Sequence, residues 1–74
     1  MAVSYNKLWK LLIDKKLKKK DLVNMAEIST STLAKMSKDQ QVSLDVISRI
    51  CRSLECNIGD IIDILPNKND EHIF

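Results

Sequence analysis

Apolar residues recur three and four positions apart along most of the chain, the spacing of one face of an α-helix. Tyr5, Leu8, Trp9 and Leu12 form the first such stripe, flanked by Leu11 and Ile13, while Asn6, Lys7, Lys10 and Asp14 occupy the opposite side. With Ser4 as N-cap, the pattern predicts a helix over residues 5–17, preceded by a short extended lead. Leu22, Val23, Met25 and Ala26 give a second, shorter helix an apolar surface, and Leu33 with Met36 do the same for a third. Val46, Ile47, Ile50, Cys51 and Leu54 form the clearest stripe, predicting a fourth helix over residues 44–55 capped by Ser43. Ile58, Ile61, Ile62 and Leu65 predict a fifth over residues 58–65, with Asn57 as cap, Asp60 in the favourable first turn and Pro66 as the stop. No period-two alternation of useful length interrupts this series, so the expected fold is all-α with five helices.

The stretch from Lys20 to Ser37 stands apart because the third helix has two faces of different chemistry. Leu33 and Met36 can face a core, whereas Thr30, Ser31, Thr32 and Lys35 place short hydroxyls and one cation on the other side. Such short helices have little stability alone, so packing must set their angle. Glu27-Ile28-Ser29 forms the bend, with Ile28 tucked between the helices and Ser29 capping the third. Glu27 stands where a left-handed backbone is often needed, at a cost of about 1 kcal/mol for a residue other than glycine. Two helices, a tight turn and an exposed polar face describe a helix-turn-helix, whose second helix usually enters the DNA major groove.

Charge sharpens that picture. The net charge of +2 is unevenly spread: residues 1–40 hold nine Lys against four acids, and residues 41–74 hold three basic residues against six acids. A cationic first half favours a polyanion, and an acidic second half limits indiscriminate binding or meets another protein. Lys15, Lys16, Lys18, Lys19 and Lys20 read either as a solvated surface or as a phosphate grip at the start of the second helix. In the second reading Lys19 is the best-placed cation, because that end of the motif lies over the DNA backbone. Trp9 reads as a packing residue, and a lone aromatic supports no single-strand stacking surface.

The remaining chemistry excludes more than it suggests. The chain length, 74 residues, suits one domain and one core, and 45% apolar residues can fill it without disulfide or metal staples. Cys51 lies on an apolar stripe as a small buried hydrophobe and Cys56 at that helix's end as a half-exposed one. Their spacing matches no common zinc pattern, and the single histidine, His72, lies in a polar segment, so no metal or other cofactor is expected. One histidine, no glycine-rich phosphate loop and scattered carboxylates offer no acid, base or nucleophile set, and the chain does not read as an enzyme. No small-molecule site is evident. No apolar run reaches the roughly 18 residues of a membrane span and no signal peptide is visible, which points to a cytoplasmic protein.

The start Tyr5-Asn-Lys-Leu-Trp-Lys-Leu-Leu, the Lys20-Asp-Leu step, Ile28-Ser-Thr-Ser-Thr-Leu-Ala-Lys-Met and Leu54-Glu-Cys-Asn-Ile-Gly-Asp-Ile-Ile62 together resemble the lambda-repressor-like, Cro-type (XRE) helix-turn-helix regulators in their compact form. The resemblance spans residues 5–65. It implies a five-helix domain, here residues 1–66 followed by a polar tail over residues 67–74. It implies a third helix in the major groove, with Thr30, Ser31 and Lys35 on base edges, and Ser29 and Lys19 on the backbone. Lys20, Thr32 and Lys38 complete the expected backbone set. Lys35 suits guanine, and the hydroxyls suit hydrogen-bond or methyl contacts. The function so implied is a sequence-specific regulator of double-stranded DNA, a repressor. A homodimer is expected on separate grounds, because one such domain reads only a few base pairs and Ile61, Ile64 and Leu65 leave surplus apolar surface on the fifth helix. The competing reading is a protein-interaction module, an antitoxin or inhibitor, on the same fold.

Overall fold

The computed structural model describes residues 2–66; the expected tail over residues 67–74, with His72, lies outside the described residues. In chain order the elements are strand β1 (Ala2–Ser4), helices α1 (Asn6–Asp14), α2 (Lys19–Ala26), α3 (Thr30–Ser37) and α4 (Leu44–Leu54), a 3-10 turn at Ile58–Asp60, and strand β2 (Asp63–Leu65). The helices bury one cluster made by Tyr5, Leu8, Leu12, Leu22, Ala26, Ile28, Met36, Ile47, Ile50, Leu54 and Ile61. Each large member contributes roughly 1.5–3 kcal/mol by leaving water, so this cluster is the main source of stability. All four expected stripes of α1 to α4 supply it, although Met25 remains exposed on α2.

Each of the four helices ends in the same way. The amide of Leu17 donates to the carbonyl of Leu12 at 2.8 Å, Ile28 to Val23 at 3.2 Å, Gln40 to Lys35 at 2.9 Å and Cys56 to Cys51 at 3.0 Å. The residue before each of these amides is left-handed: Lys16 (φ 59°), Glu27 (54°), Asp39 (55°) and Glu55 (52°). This is the Schellman closure, in which the sixth amide folds back and a left-handed residue, usually glycine, reverses the chain. Here all four reversals use an exposed charged residue, and the chain's one glycine, Gly59, serves elsewhere. The closure also explains why α1 stops at Asp14 instead of running to residue 17: Leu17 turns back onto the last turn, half-buried against the core.

Side chains on α4 satisfy the open carbonyls at the end of α2. Arg49 donates to the Glu27 carbonyl at 3.1 Å, and the Ser53 hydroxyl is shared between the carbonyls of Met25 (3.1 Å) and Arg49 (2.8 Å). Terminal carbonyls have no partner within their own helix, so these bonds set α2 against α4. Arg49 is itself held by Asp45 one turn earlier, at 3.1 Å.

The expected fifth helix is not present. Asn57 and Asp60 do begin a turn, the Asn57 amide donating to the Asp60 carboxylate at 2.9 Å, but the turn closes with the amides of Ile61 and Ile62 on the Ile58 carbonyl and the chain is extended from Asp63. Asp63–Leu65 then pairs antiparallel with β1 in the register Ala2 to Leu65, Val3 to Ile64 and Ser4 to Asp63. β-Branched isoleucines favour a pleated surface, and Pro66 biases Leu65 away from helical angles. Lys7 reinforces the arrangement from α1, its ammonium 3.0 Å from Asp63 and 3.2 Å from the Gly59 carbonyl. Ile61, expected on a surplus apolar face, is instead wholly buried, whereas Ile58, Ile64 and Leu65 are exposed. Among the described residues the fold is therefore four helices and a two-stranded ribbon.

Both cysteines are free and half-buried, Cys51 less sequestered than its stripe predicts. Burial, and then the neighbouring Cys51, push the Cys56 thiol above its ordinary range. Among the described residues no group of His, Cys, Asp or Glu is arranged to hold a metal ion, and no helix is long and apolar enough to cross a membrane.

Replacing Glu27 by glycine removes left-handed strain while leaving its backbone carbonyl available to Arg49. The expected result is a gain of up to about 1 kcal/mol, seen as a higher urea midpoint with an unchanged slope. A lower midpoint would show that the Glu27 side chain contributes more than its backbone geometry costs.

Candidate nucleic-acid interface

The motif begins at the first turn of α2. The Lys18 amide donates to the Asp21 carboxylate at 2.8 Å, and this acid also sits favourably against the helix dipole. Lys19 and Lys20 are thereby the first two helical residues, both exposed. The bend follows as expected, with Glu27 left-handed and Ile28 buried.

Ser29 caps α3, its hydroxyl accepting the Thr32 amide at 3.1 Å. The same hydroxyl lies 2.9 Å from those of Ser31 and Thr32, so three hydroxyls form one network at the helix start. Thr32 is half-buried within it, whereas Ser29, Thr30 and Ser31 are exposed. Further along α3, Met36 is wholly buried and Leu33 half-buried. Thr30, Ser31, Ala34, Lys35 and Lys38 are exposed, at the spacing of a single helical face. Burial of Met36 thus turns the neighbouring Lys35 outward. Ala34 was not among the expected contacts, although its methyl sits in the middle of this face and suits the methyl group of thymine.

The far end of α3 is anchored by Tyr5, the residue just before α1. The Tyr5 hydroxyl donates to the Gln40 carbonyl at 2.7 Å, and the Tyr5 amide donates to the Asp39 carboxylate at 3.3 Å. Burial, and more weakly the Asp39 charge, raise the Tyr5 hydroxyl above its usual range, so it stays a donor. Lys19 reaches the same end: its ammonium donates to the Ser37 hydroxyl at 3.3 Å and lies 4.2 Å from the centre of the Trp9 ring. The expected residues therefore fall in two groups. Ser29, Thr30, Ser31 and Thr32 gather at the start of α3, and Lys19 meets the end of α3 near Lys38; Lys20 lies beside Lys19 on α2. Ser37 and the cation-facing role of Trp9 carried no local signal, since residues 18 and ten positions from Lys19 meet it only through tertiary packing.

Comparison with known proteins bears on the whole motif. The family model for the Cro/C1-type helix-turn-helix DNA-binding domain matches residues 7–67. The transcriptional regulator VanUg, in its Form II crystal structure, is 53% identical and superposes with a TM-score of 0.86, over 89% of this chain and 88% of that one. No curated protein sequence matches the chain.

Ser29→Ala removes the cap and leaves the Thr32 amide without its acceptor. A loss of about 1 kcal/mol is expected, lowering the thermal midpoint by roughly 4–8 °C for a domain of this size. Ser29→Asp should keep the cap and the midpoint; if both variants melt alike, the hydroxyl network does not stabilise α3 through its cap.

Proposed function

The chain belongs to the Cro/C1-type helix-turn-helix DNA-binding family, and we propose that it is a sequence-specific repressor that reads the DNA major groove with α3. One observation carries this reading: α3 buries Met36 while presenting Thr30, Ser31, Ala34 and Lys35 on one outward face, which Lys38 continues just past its end, with Lys19 and Lys20 on the neighbouring helix. A recognition helix needs that division, because the same eight residues must both hold their place in the core and meet base edges. Lys35 supplies the strongest donor, suited to guanine, while Thr30 and Ser31 make shorter hydroxyl or methyl contacts. Lys19, Lys20, Ser29, Thr32 and Lys38 meet phosphates, which fix register without carrying sequence information. Ser29 and Thr32 do so as part of the cap network, so their hydroxyls are already oriented by α3 itself.

We further propose that two copies bind together, with half-sites about 34 Å apart on one face of the duplex. Support comes from an apolar groove of about 420 Å³ between β1, β2 and the start of α4, lined by Val3, Leu44, Ile47, Ile58, Ile62 and Ile64. Leu44 is 72% exposed and Ile64 59% exposed, so apolar surface remains uncovered at its rim. The same groove is what favours the competing reading of a protein-interaction module. Sedimentation on a palindrome selected from random DNA should show two chains per duplex; a single chain there would end the dimer proposal.

Lys35→Ala separates reading from positioning. A loss of about 1–3 kcal/mol is expected on the selected site, with relaxed preference at one base pair and little change on scrambled DNA. Titrations on both DNAs at two salt concentrations measure this, and wild-type binding should weaken steeply as salt rises. Equal losses on both DNAs would make Lys35 a phosphate contact, and binding indifferent to salt would favour the interaction-module reading.

A further inference from the structure

We infer that Trp9 is a positioning residue for DNA binding, holding the Lys19 ammonium against Ser37 as a ready-made grip for one backbone phosphate. A lysine in an exposed first turn ordinarily samples many rotamers, and fixing it opposes binding. Lys19 is not free in this way. Its ammonium sits 4.2 Å from the centre of the Trp9 ring, within the range of a cation–π attraction, and 3.3 Å from the Ser37 hydroxyl. Trp9 is itself held, half-buried against the core and tilted at 53° to Tyr5 with ring centres 6.5 Å apart. Tyr5 in turn is bonded to Asp39 and Gln40 beyond the end of α3. The ammonium therefore sits between the first turn of α2 and the last turn of α3, held over one residue of a third helix, Trp9 on α1.

The donor geometry fits an anion. An ammonium has three donors, and one directed at Ser37 leaves two for other acceptors. The Ser37 hydroxyl, accepting from Lys19, keeps its own proton to donate. A phosphate oxygen beside them receives two hydrogen bonds, one charge-assisted, from groups already in place. The cation occupies one face of the indole ring, which is thereby withheld from a base. This inference rests on the DNA-binding reading above and adds a residue on α1 to its machinery.

A double-mutant cycle on duplex DNA tests it, using Trp9→Leu, Trp9→Phe, Lys19→Ala and each Trp9 change combined with Lys19→Ala. Melting curves restrict the assays to temperatures where every variant is folded, and Trp9→Phe keeps an aromatic core residue should Trp9→Leu be too unstable. Lys19→Ala should weaken binding to all sequences and reduce the salt slope by about 0.9. Trp9→Leu should weaken binding about two- to five-fold with the slope unchanged, Trp9→Phe by less, because the charge remains but is no longer held. In the Lys19→Ala background neither Trp9 change should weaken binding further. Undiminished losses in that background would overturn the inference, since Trp9 would then act through the fold alone. A wild-type protein that binds no DNA at low salt would remove the DNA-binding reading and this grip together.

Discussion

The burial of Met36 is the contact on which the face presented by α3 depends. Eight residues form too few hydrogen bonds for a helix to persist in water. What holds α3 is its N-cap at Ser29 and the insertion of Met36 into the cluster that includes Leu8, Leu22, Ile50 and Ile61. Because Met36 points inward, Lys35 and Ala34 point outward by helical geometry alone. The rotation of α3 is thus set by one side chain and its placement by the core that receives it. Truncating that side chain would leave a cavity as well as a loosened helix, and such losses run to about 2–5 kcal/mol.

Around that contact the chain is bounded by four left-handed reversals, at Lys16, Glu27, Asp39 and Glu55. Each sacrifices some backbone ease, on the order of 1 kcal/mol, to satisfy orphan carbonyls and turn the chain at once. In three of them the amide that folds back belongs to Leu17, Ile28 or Cys56, half-buried or buried residues that join the core. In the fourth it belongs to Gln40, exposed, whose carbonyl is claimed by Tyr5 instead. The end of α3 is consequently secured by hydrogen bonds from Tyr5 and from Lys19 on α2, much as the end of α2 is secured by Arg49 and Ser53 on α4.

Function in this family then reduces to how two helices are held at a fixed angle with their polar groups already oriented. Arg49 and Ser53 fix α2 to α4 through the carbonyls of Glu27 and Met25, and Lys19 ties α2 to α3 through Ser37.

The amino-acid sequence by itself determined what depends on neighbours a few positions away. The stripes of α1 and α4, the caps at Ser29 and Ser43, the bend at Glu27 and the outward face of Thr30, Ser31 and Lys35 all follow from spacings of three and four and from side chains reaching their own helix. Tertiary structure decided whatever depends on partners distant in the chain. Ile58 to Leu65 has the spacing of a helix, yet it becomes a turn and a strand because β1, some 60 residues earlier, offers backbone partners and the core takes Ile61. Lys19 is legible as a cation near the motif's start, but its place between Trp9 and Ser37 arises only once α1 and α3 are packed beside it. Local hydrogen bonds and periodicity can be read along one segment, whereas the choice between helix and strand for a short apolar run, and the direction of a long flexible side chain, is settled by whichever distant surface covers it.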